Sequence, residues 1–286
     1  MPSSSLAARC FAEIFGTFLL VFFGCGAVHV AMLTGALAGL WQVAIVWGVA
    51  IMLAIYVVGG ISGAHINPAV TISLAAWGRF RWADVLPYIL AQVTGAFLAA
   101  AVLFTLYEPF LAEKEREKGV VRGQPGSEIT AMCYGEYFPD PGRLSSEMYN
   151  SIEHDKLNDL VSEPVAFLAE VLGTMILALA VFALTDERNS AAPLGRMAPV
   201  FIGLTVAALI AVIAPLTQAC FNPARDFGPR LFASLSGWGA IALPGPRGMG
   251  FLTVYIVAPI VGAFAGGGWY TRLLRPCLPQ PGGEKS

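Results

Sequence analysis

Charged residues are scarce in this chain. Asp, Glu, Lys and Arg make up 13% of its 286 residues, about half the roughly 25% of a soluble globule. That scarcity excludes an ordinary soluble domain, and a formal net charge of −2 gives no electrostatic case for a nucleic-acid partner. Histidine is as rare: His29, His65 and His154 stand far apart, so no metal cluster is readable. The five cysteines, at positions 10, 25, 133, 220 and 277, form no CxxC pair and are odd in number, which argues against a disulfide framework or a zinc site. There is no GxxxxGK loop and no readable catalytic triad. Nothing therefore supports ATP coupling, enzyme chemistry or a bound cofactor.

What the chain has instead is apolar sequence. It is 56% hydrophobic, carries 31 Gly and 19 Pro, and has a mean hydropathy of +0.67. This composition reads as a polytopic helical membrane protein. About 20 apolar residues cross a bilayer as a helix, and six such spans are expected near 8–31, 37–60, 84–107, 165–185, 197–217 and 249–271. The apolar run after the N-terminal Met-Pro-Ser-Ser-Ser is read as a retained first helix rather than a signal sequence, because spans follow it. Two shorter apolar stretches remain, 67–78 and 222–234. Each would be about 15 to 20 Å long as a helix, half a bilayer.

The two halves repeat. Ala12-Glu13-Ile14-Phe15-Gly16-Thr17 recurs as Ala169-Glu170-Val171-Leu172-Gly173-Thr174, and Asn67-Pro68-Ala69 recurs as Asn222-Pro223-Ala224. The glutamates are offset by 157 positions and the asparagines by 155, the signature of a duplication. Three spans per half reverse the second repeat relative to the first, which places a selective site near the midplane, at the repeat interface. The expected organisation is a first repeat over 1–107 with half-helix 67–78, a long connection over 108–163, a second repeat over 164–272 with half-helix 222–234, and a tail over 273–286. Arg9, Arg79, Arg81, Arg188, Arg196, Arg272, Arg275 and Lys285 fall on one side of this scheme. The positive-inside rule makes that side, with both termini, cytoplasmic. The expected location is the plasma membrane, or the inner membrane in a bacterium. The long connection is then extracytoplasmic; its Gly123-Gln124-Pro125-Gly126 and Phe138-Pro139-Asp140-Pro141-Gly142 stretches imply turns and partial order without a separate domain.

Asn-Pro-Ala is a helix start. Asn caps through its side-chain oxygen, and Pro is tolerated at the first helical position, where its missing N–H was unpaired anyway. The Asn amide then keeps its NH2 as a donor for a passing solute. Two half-helices meeting at these points aim their positive ends at one centre and repel cations. The segments before them, Gly63-Ala64-His65 and Gln218-Ala219-Cys220, are read as non-helical, with carbonyls lining a polar channel, since bare backbone in a bilayer is tolerable only along a cavity or inside protein.

Ser62-Gly-Ala-His-Ile-Asn-Pro-Ala-Val70, Asn222-Pro-Ala-Arg-Asp-Phe-Gly-Pro-Arg230 and the two Ala-Glu-x-x-Gly-Thr motifs together resemble the major intrinsic protein family, the aquaporins and aquaglyceroporins. The resemblance covers nearly the whole chain except 108–163. It implies an all-α membrane fold with six transmembrane helices and two re-entrant half-helices in an inverted repeat. It also implies a homotetramer in the lipid bilayer with one pore per subunit, and passive flow down a gradient. The family's constriction maps to Trp47, Ile210, Ala219 and Arg225. An arginine in a membrane half-helix is a functional candidate by default, and Arg225 is read as a pore donor rather than an arginine spent on a carboxylate. Asp226, followed four positions later by Arg230, and Pro259-Ile260 resemble the glycerol-facilitator branch. Ile210 argues against the water-selective branch, which carries histidine there. The chain departs from the usual bacterial facilitator, with Ile210 for glycine and Ala219 for an aromatic, and in this it resembles some plant nodulin-type channels.

The resemblance thus implies a channel for glycerol and similar small neutral solutes with some water, closed to ions and protons. The alternatives are a water-selective channel, or one preferring metalloid acids, urea or lactic acid. An ion-coupled transporter fits less well, since it wants a charged, gated midplane site; a junction protein that barely conducts is a further reading. Glu13 and Glu170 are read as supports for the non-helical loops through backbone N–H groups. His65 is expected to brace its loop. Gln92 fits either loop pinning or helix packing, and Asp226 is taken as a structural partner. Whether Cys220 faces the lumen is open. Gly95, Ala96, Gly262 and Gly266 are read as sites of close helix contact.

Overall fold

The described residues of the computed structural model run from 4 to 279, without 38, 144–149, 151, 153–155, 157, 158 and 194. Lys285, the tail beyond 279 and His154 lie outside them. Among the described residues, six helices are long and apolar enough to cross a membrane. They are α1 (Leu6–Thr34), α2 (Leu40–Ser62), α4 (Val85–Lys118), α5 (Glu163–Leu184), α6 (Ala198–Thr217) and α8 (Gly250–Cys277). Two short helices lie between them, α3 (Pro68–Ala76) and α7 (Pro223–Ala233). At 9 and 11 residues they span about 14 and 17 Å, half a bilayer each. Both are slightly shorter than the apolar stretches that contain them.

The third span differs most from its expected limits. It runs past 107 to Lys118 and stops at Gly119, whose φ of 63° is the left-handed turn that glycine supplies. Its last residues, 113–118, are all Glu, Lys and Arg, good helix formers, and carry the Glu113–Arg116 and Lys114–Glu117 ion pairs. Hydropathy sees the end of the apolar run, whereas the backbone stops only where a residue breaks the helix.

Close helix contacts follow the repeat. α1 packs on α4, and α5 packs on α8. A Cβ on Gly95 would stand 2.1 Å from the carbonyl oxygen of Ile14, and one on Gly262 would stand 2.3 Å from that of Val171. Ile14 and Val171 follow Glu13 and Glu170 in the duplicated motif, so each repeat seats its glutamate helix by the same device. The halves meet where α2 crosses α6: a Cβ on Gly203 would lie 2.4 Å from the Gly48 oxygen. In lipid no hydrophobic force joins helices, so such backbone proximity supplies the dispersion contacts that do. The outer faces of the helices stay apolar, with Phe11, Leu86, Leu90, Leu168 and Val212 exposed.

Residues 119–143 do not hang free. They fold over α7, where Ile129, Met132, Cys133, Tyr134 and Tyr137 form a buried cluster with Ala233, Trp238 and Ala242. Gly123 and Gly126 turn at φ 82° and 98°, and Arg122 lies over the Trp238 ring at 4.4 Å while pairing with Glu115 at 3.0 Å. The expected partial order is thus a packed cover.

Candidate functional site

α3 and α7 start at the same point from opposite sides. Asn67 Oδ1 accepts from Ala69 N at 2.9 Å and Val70 N at 3.4 Å; Asn222 Oδ1 accepts from Ala224 N at 3.1 Å and Arg225 N at 3.3 Å. The amides do more than cap. Asn67 Nδ2 donates to the Phe221 oxygen and Asn222 Nδ2 to the Ile66 oxygen, both at 2.8 Å. One N–H of each amide is therefore spent on the opposite repeat, and a second donor is left on each. The motif alone leaves both hydrogens free, because the partner carbonyl is 154 residues away for Asn67.

The loops ahead of the half-helices are strained in the same pattern. Ala64 and Ile66 have φ of 49° and 44°; Ala219 and Phe221 have 60° and 53°. Non-glycine residues rarely occupy this region, which costs on the order of 1–3 kcal/mol per residue. Two buried carboxylates hold it. Glu13 accepts from Ser62 Oγ, His65 N and Ile66 N at 2.7, 2.9 and 2.7 Å. Glu170 accepts from Thr217 Oγ1, Cys220 N and Phe221 N at 2.6, 2.9 and 2.8 Å. Gln92 Nε2 donates to Glu13 and to Thr71 Oγ1 at 2.8 and 3.0 Å, so it pins a loop instead of merely packing. His65 braces its loop as well, with Nδ1 at 3.2 Å from Thr71 Oγ1 and its ring against Phe80 and Tyr88.

Trp47, Ile210 and Ala219 fall in one buried cluster, and the Arg225 guanidinium lies 4.5 Å from the centre of the Trp47 ring. Trp47 backs onto Gly24, where a Cβ would stand 2.2 Å from the ring. Arg225 Nη1 donates to the Tyr134 oxygen at 3.2 Å, and Nη2 contacts the Glu136 carboxylate. The expectation of an unpaired pore arginine is corrected here, because the cover segment brings a buried carboxylate to it. Glu136 is fixed in turn by α7: its N donates to Asp226 Oδ1 at 2.7 Å, and its carbonyl accepts from Arg230. Asp226 also accepts from Arg230 Nε at 2.9 Å.

A cavity of about 530 Å³ runs from the face bearing Arg196 and Thr185 up to Asn67 and Asn222, lined by Gly63, Ala64, His65 and Ile66 of the loop together with Ile51, Leu177, Ile202 and Val206 of the spanning helices. The loop contributes backbone to this lining, and the named helix residues contribute hydrocarbon. Gln218, Ala219 and Cys220 do not line this cavity. Ala219 joins the Trp47 cluster, while Gln218 Oε1 accepts from Tyr137 N at 2.7 Å. The Cys220 thiol donates to the Asn222 oxygen at 3.3 Å and packs with Phe138 and Tyr255. Glu136 and the Gln218 side chain are the site features that sequence reasoning missed. No motif flags Glu136. Gln218 resembles an ordinary loop residue until its φ of 61° and its partner are seen.

The family model for the major intrinsic proteins matches residues 1–270. The chain is 42% identical to the glycerol uptake facilitator protein of Pseudomonas aeruginosa over 98% of its own length and 93% of that protein's. It is 40% identical to the glycerol uptake facilitator protein of Haemophilus influenzae, with 96% and 97% covered. It is 42% identical to the propanediol uptake facilitator of Citrobacter freundii, with 97% and 96% covered. Its fold matches the X-ray structure of the aquaglyceroporin from Plasmodium falciparum with a TM-score of 0.78 at 24% identity, over 95% of this chain and 98% of that one. The chain belongs to the major intrinsic protein family, in its glycerol-facilitator branch.

Proposed function

We propose that this protein is a passive channel for glycerol and similar small neutral solutes, with some water, and that it excludes ions and protons. One observation carries the reading: two half-helices present their capped N-termini to a single point at the end of a cavity lined by loop backbone and by aliphatic side chains. A polyol has the matching two kinds of surface, hydroxyls on one edge and carbons on the other. The free N–H of each Asn and the loop carbonyls of Gly63, Ala64 and His65 exchange hydrogen bonds with the hydroxyls, while the aliphatic side chains meet the carbons. The two helix ends place positive potential at the junction and repel cations. The glycerol and propanediol facilitators among the relatives agree with this solute class.

Trp47, Ile210, Ala219 and Arg225 serve as the constriction in this reading. Glu13, Glu170, Gln92 and Asp226 support it, and the carbonyls of Gln218, Ala219 and Cys220 continue the polar lining outward. The chain works as two inverted repeats, 1–107 and 164–272, separated by the connection and ended by the tail. The arginine-bearing face is cytoplasmic: Arg9 pairs with Asp84 at 3.0 Å, and Arg79 and Arg275 pair with Asp186 at 3.3 and 2.7 Å. This supports a cytoplasmic-membrane protein with both termini inside. The exposed apolar flanks suit lipid and the neighbouring subunits of a homotetramer.

Stopped-flow light scattering on proteoliposomes tests the function. Glycerol entry well above that of empty vesicles, without electrical conductance, is expected. Glycerol entry equal to that of empty vesicles beside fast water loss would leave the water-selective reading instead. Urea, boric acid and lactic acid in the same assay rank the remaining solutes.

A further inference from the structure

The long connection does more than cover α7. Its stretch Tyr134–Tyr137 is clasped to the constriction at five points. Tyr134 O accepts from Arg225, the Glu136 carboxylate meets Arg225, Glu136 N donates to Asp226, Glu136 O accepts from Arg230, and Tyr137 N donates to Gln218. Gln218 takes part from a left-handed backbone at φ 61°, where the matching loop of the first repeat has Gly63. A strained non-glycine residue at that point persists when its side chain contributes something that glycine lacks, here the acceptor for Tyr137.

The charges of the clasp balance. Arg225, Arg230, Glu136 and Asp226 are all buried, two cations against two anions. Asp226 is engaged by Arg230 at 2.8 Å, which leaves Glu136 as the carboxylate facing Arg225. Among the described residues, neither Glu136 carboxylate oxygen makes another hydrogen bond, so the carboxylate is directed to that one partner.

We propose that Glu136 is a specificity-determining positioning residue of the channel, acting through Arg225. It anchors the guanidinium against the wall and cancels its charge, which keeps the constriction open to a polyol and unattractive to anions. Exclusion of cations then rests on the junction of the half-helices. The inference builds on the solute channel proposed above.

The test compares wild type with Glu136→Gln, Glu136→Ala and Glu136→Asp in proteoliposomes, reading glycerol, water and nitrate permeability. With Gln or Ala, the released Arg225 should enter the lumen and lower the glycerol-to-water ratio by roughly tenfold, while nitrate permeability rises relative to water. Asp, which keeps the charge, should restore most of the ratio. Unchanged glycerol-to-water and nitrate-to-water ratios in both Gln and Ala variants would overturn the inference. So would an equal loss of every flux that Asp does not restore. Wild-type vesicles that pass water but no glycerol would defeat the solute reading alone, since the water and nitrate arms still report on Glu136.

Discussion

Asn67 Nδ2 donates to the backbone oxygen of Phe221 at 2.8 Å, across the boundary between the two repeats. Asn222 returns the bond to Ile66 at the same distance. Each asparagine thus caps its own helix and fastens the other loop. Asp or Ser could cap as well, but neither offers an NH2 that can donate to the opposite backbone and keep a second hydrogen. The junction is a mutual structure that neither half can complete alone.

This predicts the behaviour of Asn222→Asp. The cap acceptor survives, but a carboxylate now faces the Ile66 oxygen and places negative charge where the helix ends converge. A cation conductance should appear that the wild type lacks, along with a stability loss on the order of 1–3 kcal/mol. Planar-bilayer recording and thermal unfolding in detergent measure the two effects. A variant as silent as wild type would show that the junction does not hold the cation barrier.

Ile210 sits in the Trp47 cluster and presents only hydrocarbon. Ile210→His adds polar groups and bulk to that wall. Glycerol flux should fall several-fold relative to water flux in stopped-flow assays, since a wall that opposes the carbon edge of a polyol disfavours it by about 1–3 kcal/mol. If the ratio holds at its wild-type value, this position does not select.

Asp186 ties the arginine-bearing face together. Burial alone would raise its carboxyl, but the Arg188 N–H and the Arg275 guanidinium reverse that and hold it below the ordinary value of 3.8. Arg79 at 3.3 Å and the Tyr270 hydroxyl at 3.2 Å also donate to it. A depressed carboxylate contributes stability that is present above the unfolded value and is lost as pH falls through the folded one. Asp186→Asn should therefore lower the stability near pH 7 by an amount on the order of 1 kcal/mol, read as a lower melting temperature. The gap to wild type should close as the pH falls below that ordinary value of 3.8. A gap that stayed constant with pH would locate the effect in packing.

Gly95 leaves no room for a side chain, since its Cβ would stand 2.1 Å from the Ile14 oxygen. Gly95→Val should push α4 away from α1 and disturb the neighbouring Glu13. Overpacking of this kind costs about 1–3 kcal/mol or more, so the variant should unfold at lower temperature and transport less. Gly60→Ala is the control: a Cβ there meets nothing within 4 Å, and its melting temperature should not fall below that of wild type.

The repeats are legible because they are written in short local patterns. Asn-Pro-Ala is a helix start whatever surrounds it, and the Ala-Glu-x-x-Gly-Thr motif places its carboxylate one helix turn from its small residues. The spans are legible because lipid tolerates few polar groups, so hydropathy alone marks them. The end of α4 at Lys118 is not, since a charged helix leaving the membrane has no apolar signal. Glu136 is hidden for another reason. Its partner Arg225 lies far along the chain in the second repeat, and an acidic residue in an acidic, turn-rich connection passes for a solvated one.

By itself the sequence determined the class, the duplication, the helix starts and the aliphatic character of Ile210 and Ala219, because each depends on residue type and near neighbours. Only the tertiary structure decided the destinations of long-range bonds. It gave each Asn amide the opposite carbonyl, turned Cys220 toward Phe138 and Tyr255, and set Glu136 against Arg225. Such contacts depend on the three-dimensional meeting of segments up to 156 residues apart, and a buried hydrogen-bonding group takes the partner that the fold brings to it.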